Sequence, residues 1–402
     1  MPGSTEKLYE QDSYLRVFEA AVTETRDLPE GQGVVLDRTA FFPEGGGQPS
    51  DWGLLGTGAV RSVEEDGNAV VHVIDFRLQA GDRVKGSIDW ERRFDHMQQH
   101  SGQHLLSQAF VRVLDAETIG FHLGIEDVTI DLRFANLSVD GVRRVEAEAN
   151  RILTENRNIQ ICQTSADRLD SVPLRRRPAL SGMVRIVEIK GYDWSLCCGT
   201  HVRQTGEIGI VKILRWENHK GGTRVHFACG ARALRDYQVK NELVKTLTQT
   251  LTAGETEIAD TVVRWKEERK ASERRIQVLL GQILDAEAEK LLGNAEPLGS
   301  VRLVSVLYRD RNSSDVQELV RALVQRSGVV VVAGAVADRA TLFFARSENV
   351  DLDVRTLVRA AAEAMGGRGG GNSAWAQCST VDVEKVEAGL KRATAQLRSL
   401  PP

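Results

Sequence analysis

The 402-residue chain has only five cysteines. So sparse and odd a set makes no disulfide framework, which fits a reduced compartment and leaves thiols free for metal. Long apolar runs are missing too. No stretch approaches the roughly 20 residues that span a bilayer, which excludes a membrane helix. The opening MPGSTEKLYEQD lacks the apolar core of a signal peptide, so a cytoplasmic location is expected. Nor is there an excess of charge. With 52 basic and 56 acidic residues the net charge is −4, which excludes nucleic-acid binding by bulk charge and leaves local patches. Candidates are Arg92 and Arg93, the run Arg175, Arg176 and Arg177, the group Lys266, Arg269, Lys270, Arg274 and Arg275, and Arg368. Most such charges are simply solvated surface.

Against these absences stand two motifs, HSGQH at residues 100–104 and CCGTH at residues 197–201. Residues i and i+4 lie one turn apart on a helix face, so His100 and His104 can grip one ion together. Cys197 and His201 sit among Gly and Thr, a segment that reads as a loop. Two imidazoles from a helix with a thiolate and an imidazole from a loop suit Zn²⁺, which favours tetrahedral nitrogen and sulfur ligands. HxxxH alone recurs by chance on many helices, and a Cys-Cys pair alone reads as two thiols. Their coincidence carries the metal assignment. His96 extends the histidine stripe and Cys198 adjoins Cys197, so spacing alone does not choose among them. Gly102, inside the helix, costs about 1 kcal/mol relative to Ala, which is understandable where a ligand or another backbone comes close.

The chain is expected to be an α+β multidomain protein in four segments. Residues 1–90 alternate short apolar runs with Gly, as at 32–36, 69–76 and 82–89, and read as a small β-barrel or sandwich, the barrel being the expected form. Within them lies PEGGGQPSDWG, whose three glycines fit a sharp turn, a close approach to a ligand, or a surface loop. Residues 91–235 open with the histidine helix and add strands near 128–134, 158–163, 183–189, 209–216 and 223–228, with a helix at 139–156. This is an α+β metal-binding domain. Residues 236–295 are rich in Glu, Lys, Arg, Leu and Ala and should form two amphipathic helices broken near Gly254, a helical arm that also offers a dimer contact. Residues 296–402 alternate strands with helices and read as an α/β domain. It contains GGRGGG, either a phosphate contact through Arg368 or a flexible connector.

FFPEGGGQP, HSGQHLL and CCGTHV together resemble the alanyl-tRNA editing proteins of the AlaX family, relatives of the alanyl-tRNA synthetase editing domain. GGRGGGNSAWAQ is similar to the signature of the DHHA1 domain, which implies the long form of the family. The resemblance runs over essentially the whole chain. It places zinc ligands on His100, His104, Cys197 and His201, leaving His96 and Cys198 outside the set. It implies that Thr39 recognises the hydroxyl of serine, with Gln48 and His122 as further pocket residues. The implied activity is zinc-dependent hydrolysis of the aminoacyl ester of tRNA for alanine mischarged with serine or glycine. The implied partner is that tRNA, with a homodimer through the helical arm or C-terminal domain and no membrane. No segment resembles a class II aminoacylation core, so removal of amino acids is expected and attachment is not. The alternative is a zinc-stabilised factor that binds tRNA or a protein without hydrolysis.

Overall fold

The structure, a computed structural model, describes residues 4–125, 127–175 and 182–399. Arg176 and Arg177 of the basic run lie outside them. The chain divides into two compact units, residues 1–247 and 248–402.

In the first unit six antiparallel strands hydrogen-bond in a closed ring. In ring order they are Val17–Leu28, Gly31–Leu36, Ala69–Ile74, Gly58–Asp66, Gly53–Leu55 and Arg83–Ile88. Alternate residues point inward to a core of Phe18, Val34, Leu36, Phe41, Leu55 and Ile74. Closure leaves no free strand edge.

The ring leads into the histidine helix, Trp90–Leu114. Asp89 caps it by accepting a hydrogen bond from the Arg92 backbone N–H, and Asp115 ends it in a left-handed conformation. Residues 96–107 are all buried although eight of the twelve are polar. Such a helix is tolerable only if its polar groups are paired. Gln99 exchanges two hydrogen bonds with the Cys229 backbone, at 3.0 and 2.8 Å, and Gln98 donates to the Glu207 carbonyl at 2.9 Å. Gly102 is explained here: a Cβ would lie 2.2 Å from the Cys229 sulfur. The close neighbour is a strand, not a ligand.

Around this helix stand two further sheets. One has the order Val211–His219, Gly222–Cys229, Val128–Arg133, Glu117–Leu123, and the other Ile159–Ser165, Met183–Ile189, Asp193–Leu196. All their pairings are antiparallel. Helix Val139–Thr154, capped by Ser138, buries Val142, Val145, Ala149 and Ile152 in the shared core. Strands Glu117–Leu123 and Asp193–Leu196 escaped the sequence reading, although Ile119, Phe121 and Leu123 alternate along the first; the second is only four residues long.

The helical stretch is two helices, Gly230–Leu251 and Ile258–Gly293, with Gly254 in the break. The second unit carries a six-stranded sheet in the order Glu296–Leu298, Val301–Tyr308, Val329–Val336, Ala340–Arg346, Trp375–Thr380, Arg368–Gly371. Only Val301–Tyr308 and Val329–Val336 run parallel, so the sheet is more antiparallel than the α/β pattern implied. Leu284 and Ala288 of the long helix, with helix Ser313–Val324, cover one face. Helices Arg355–Met365 and Val386–Arg398 cover the other. Burial on both faces explains the unbroken valine run 329–332. The Gly-rich run is not a loose connector: it begins at Gly366, which caps the C-terminus of helix Arg355–Met365 with φ +62°. Arg368–Gly371 is an exposed edge strand, and a Cβ on Gly369 would lie 2.5 Å from that of Cys378.

Ring and histidine helix are joined by a buried ion pair between Arg93 and Asp51, both fully buried. Arg93 Nε donates to both Asp51 oxygens at 3.0 Å, and its Nη1 donates to the Ser13 carbonyl at 2.9 Å and its Nη2 to the Ala40 carbonyl at 2.6 Å. Asp51 also accepts the Phe42 N–H at 2.6 Å. Arg93 is thereby corrected from a candidate RNA contact to a structural cation. Arg92 stacks on Trp52, its guanidinium carbon 3.9 Å from the ring centroid. Asp51→Ala would strand a buried guanidinium, and a loss of about 3–5 kcal/mol is expected. Urea unfolding of the variant checks this, and Arg93→Met in the same chain should restore part of the loss.

Candidate metal centre and cavity

The histidine helix and the loop after strand Asp193–Leu196 bring His100, His104, Cys197 and His201 together, with one donor atom from each inside a sphere of mutual distances no greater than 4.8 Å. The Cys197 sulfur lies 3.3 Å from both His100 Nε2 and His201 Nε2. Zinc–sulfur and zinc–nitrogen bonds of about 2.3 and 2.0 Å at a tetrahedral angle set such atoms about 3.5 Å apart. The spacing therefore fits a shared ion. His96 is buried outside this group, and Cys198 is exposed and also outside it.

Each ring is held by its other nitrogen. His100 Nδ1 donates to Gln48 Oε1 at 2.8 Å. His201 Nδ1 meets Ser101 Oγ at 3.1 Å, and that hydroxyl also accepts the Val202 N–H. His104 Nδ1 faces Asp193 Oδ2 at 3.5 Å, a long contact between buried groups. Asp193 accepts from Ser195 Oγ at 2.9 Å and lies 3.6 Å from Arg175, whose Nη1 donates to the His104 carbonyl at 3.0 Å. Two hydrogen bonds and, for His104, whose Nδ1 makes no hydrogen bond, the Asp193 contact at 3.5 Å thus face the Nδ1 atoms and leave the Nε2 atoms directed toward one point, the arrangement that orients metal-binding imidazoles.

Electrostatics favour cation binding. Burial pushes the Cys197 thiol up, but the neighbouring His100 and His201, with hydrogen bonds from His100 and His104, outweigh it and hold the thiol well below its ordinary value. Burial lowers His201 to about 3, keeping it a neutral ligand. For His104 burial is again the largest influence and lowers it, yet the Asp193 and Cys197 contacts leave it raised. Asp193 is itself held low, where Arg175 and His104 prevail over its burial.

Gln48 reaches His100 through the glycine run. Gly45 and Gln48 exchange two backbone hydrogen bonds of 3.0 Å around Gly46 and Gly47, whose φ values are +61° and +84°. Two successive positive φ angles make a type I′ turn, which glycine adopts without strain. Gln48 Nε2 then donates to Thr200 Oγ1 at 2.9 Å, and its Oε1 accepts the Thr200 N–H at 3.2 Å. Gly199 is needed as well, since a Cβ there would lie 2.2 Å from the His100 ring.

His100, His104 and Cys197 line a cavity of about 880 Å³ in the first unit, whose wall includes Phe42, Gly46, Phe121 and Arg185. Thr39 and His122 do not line it. Thr39 is fully buried in the ring region. His72 Nδ1 donates to the Val34 carbonyl at 3.0 Å, so its Nε2 accepts the Thr39 hydroxyl at 2.8 Å, and burial lowers His72 to about 4. The same hydroxyl accepts the Phe41 N–H at 3.1 Å. His122 is exposed on strand Glu117–Leu123, while its neighbours Gly120 and Phe121 face the cavity. Ser101, Asp193, Gly199 and Arg185 were not singled out from sequence. Of these only Ser101 and Gly199 carried a signal, by lying inside the two motifs. Gln48→Ala frees the His100 ring, and a roughly 10- to 100-fold loss of metal affinity is expected. Competition with a chromogenic zinc chelator measures it.

Residues 9–92 match the family described as tRNA synthetases class II (A). Residues 184–226 match that described as threonyl and alanyl tRNA synthetase second additional domain, and residues 301–399 match the DHHA1 domain. The first match covers the strands of the ring and the start of the histidine helix. The alanine–tRNA ligase of Pyrococcus abyssi is 32% identical over 408 residues, spanning 96% of this chain and 43% of the ligase. The chain thus spans less than half the length of that relative. The alanyl-tRNA editing protein AlaX-L of Pyrococcus horikoshii is 30% identical over 385 residues, covering 91% of this chain and 92% of that protein. The solved C-Ala domain of Aquifex aeolicus alanyl-tRNA synthetase aligns with 26% of this chain and 98% of its own at 19% identity and a TM-score of 0.24. Similarity along nearly the full length of AlaX-L, with the ring, the His/Cys cluster and the DHHA1 segment in the same order as the motifs, places this chain in the alanyl-tRNA editing family AlaX, in its long form with a DHHA1 domain.

Proposed function

We propose that the protein is a zinc-dependent aminoacyl-tRNA deacylase that acts in the cytoplasm on tRNA for alanine carrying serine, with glycine as a second substrate. The observation that carries this reading is a cluster of three imidazoles and one thiolate, of which His100, His104 and Cys197 line a cavity large enough for an aminoacylated terminal adenosine. A zinc ion held by His100, His104, Cys197 and His201 would supply Lewis acidity near the ester or fix the terminal ribose. Gln48, Ser101 and Asp193 keep the three rings aimed, and the apolar walls at Phe42 and Phe121 limit water around the bound ester. Four protein donors complete a tetrahedron, which favours the positioning role. In this reading residues 1–90 and 91–235 form the hydrolytic part. Residues 236–295 and 296–402 serve tRNA binding and dimerisation.

The complete donor set also favours a second reading, a factor in which zinc is purely structural and tRNA or a protein is bound without hydrolysis. Purified protein, zinc-replete and metal-stripped, incubated with seryl-, glycyl- and alanyl-tRNA for alanine separates the two. The deacylase releases serine with zinc, spares alanine, and in His104→Ala loses both metal and hydrolysis. Absence of hydrolysis by folded, zinc-replete protein leaves the binding reading.

Thr39 recognises serine directly only if its hydroxyl has a bond to spare for the substrate. One acceptor lone pair remains after its contacts with His72 and Phe41. If that lone pair serves the serine hydroxyl, Thr39→Val raises KM for seryl-tRNA about threefold or more, the value of one hydrogen bond, and leaves zinc content unchanged. Unaltered serine kinetics confine Thr39 to the ring.

A further inference from the structure

Arg185, on strand Met183–Ile189, is 7% exposed and lines the cavity. Its Nη1 donates to the carbonyls of Cys197 and Gly199 at 2.7 and 2.9 Å, which pins the guanidinium to the metal-binding loop. Its Nε and Nη2 are buried and have no hydrogen-bond partner. The other cavity cations are neutralised: Lys7 pairs with Glu65, and Arg175 faces Asp193. Arg185 pairs with no carboxylate among the described residues. A buried charged donor left unpaired is costly and is retained where something else completes it.

The two free groups are the side-on fork of a guanidinium, two N–H bonds pointing the same way. That fork matches an anion presenting two oxygens, such as a phosphodiester, whereas an ester carbonyl presents one. Glu10 and Glu44 also line the cavity, and among the described residues Arg185 is the lining cation that faces no carboxylate. We propose that Arg185 binds the phosphate linking the terminal adenosine of the tRNA to the nucleotide before it, and so sets how deeply the 3′ end enters toward the metal centre. The proposal rests on the deacylase reading but concerns a different contact.

The test is binding of the trinucleotide CpCpA to the zinc-loaded full chain, compared with the same trinucleotide carrying a neutral methylphosphonate at the last linkage. The natural trinucleotide should bind wild type at least tenfold more tightly. The gap should vanish in Arg185→Gln and narrow in Arg185→Lys, which keeps the charge but not the fork. Equal binding of the two trinucleotides by wild type overturns the proposal, as does no binding of the natural one, or an undiminished gap in Arg185→Gln. The wild-type comparison needs no variant to fold. A chain that hydrolyses nothing but still discriminates the trinucleotides would lose the deacylase reading and keep this contact.

Discussion

The buried pair of Arg93 and Asp51 is the constraint on which the His/Cys cluster depends. Taking two charges out of water costs several kcal/mol per ion, and their attraction offsets this only when the remaining donors and acceptors are also used. Here the carbonyls of Ser13 and Ala40 and the N–H of Phe42 use them. The pair fixes the register between the ring and the histidine helix, because Asp51 lies three residues beyond Gln48 and Arg93 two turns before His100. Move one against the other and the Gln48 amide no longer meets the His100 ring.

The remaining anchors come from elsewhere. Ser101 belongs to the helix itself, and Asp193 to a short strand that follows the middle of a three-stranded sheet. Three parts of one compact unit therefore each orient one imidazole, and the loop that brings Cys197 and His201 closes over them. Gly199 and Gly102 mark where this crowding leaves no room for a methyl group, one against the His100 ring and the other against a thiol. The preorganisation is a matter of packing as much as of hydrogen bonds.

Much of this was legible in the chain. The four clustered side chains were readable because helical spacing and two short motifs brought them forward, and the long strands and helices because their periodicities are plain. Arg93 was misread as a surface cation, since charge says nothing of burial. Asp193 gave no signal, for although it stands four residues before Cys197, a single acid outside the motif is indistinguishable from any other. The glycine run announced a tight turn but not that the turn serves to deliver Gln48. Thr39 and His122 show the limit of position-by-position resemblance: one is enclosed with its hydroxyl engaged and the other sits on the outer side of a strand.

The edge strand Arg368–Gly371 separates two properties usually taken together. All four of its residues are exposed, yet a methyl group on Gly369 or Gly371 would press within 2.4–2.5 Å of the adjoining strand. Surface exposure here brings no freedom to vary. The side of the strand that meets water is open, as at Gly370, and the side that meets the sheet has no depth, so Gly369 and Gly371 should behave like core in any mutational scan. An approaching molecule would find main chain, Arg368 and little else, and its fit would depend on shape and peptide spacing more than on side-chain identity.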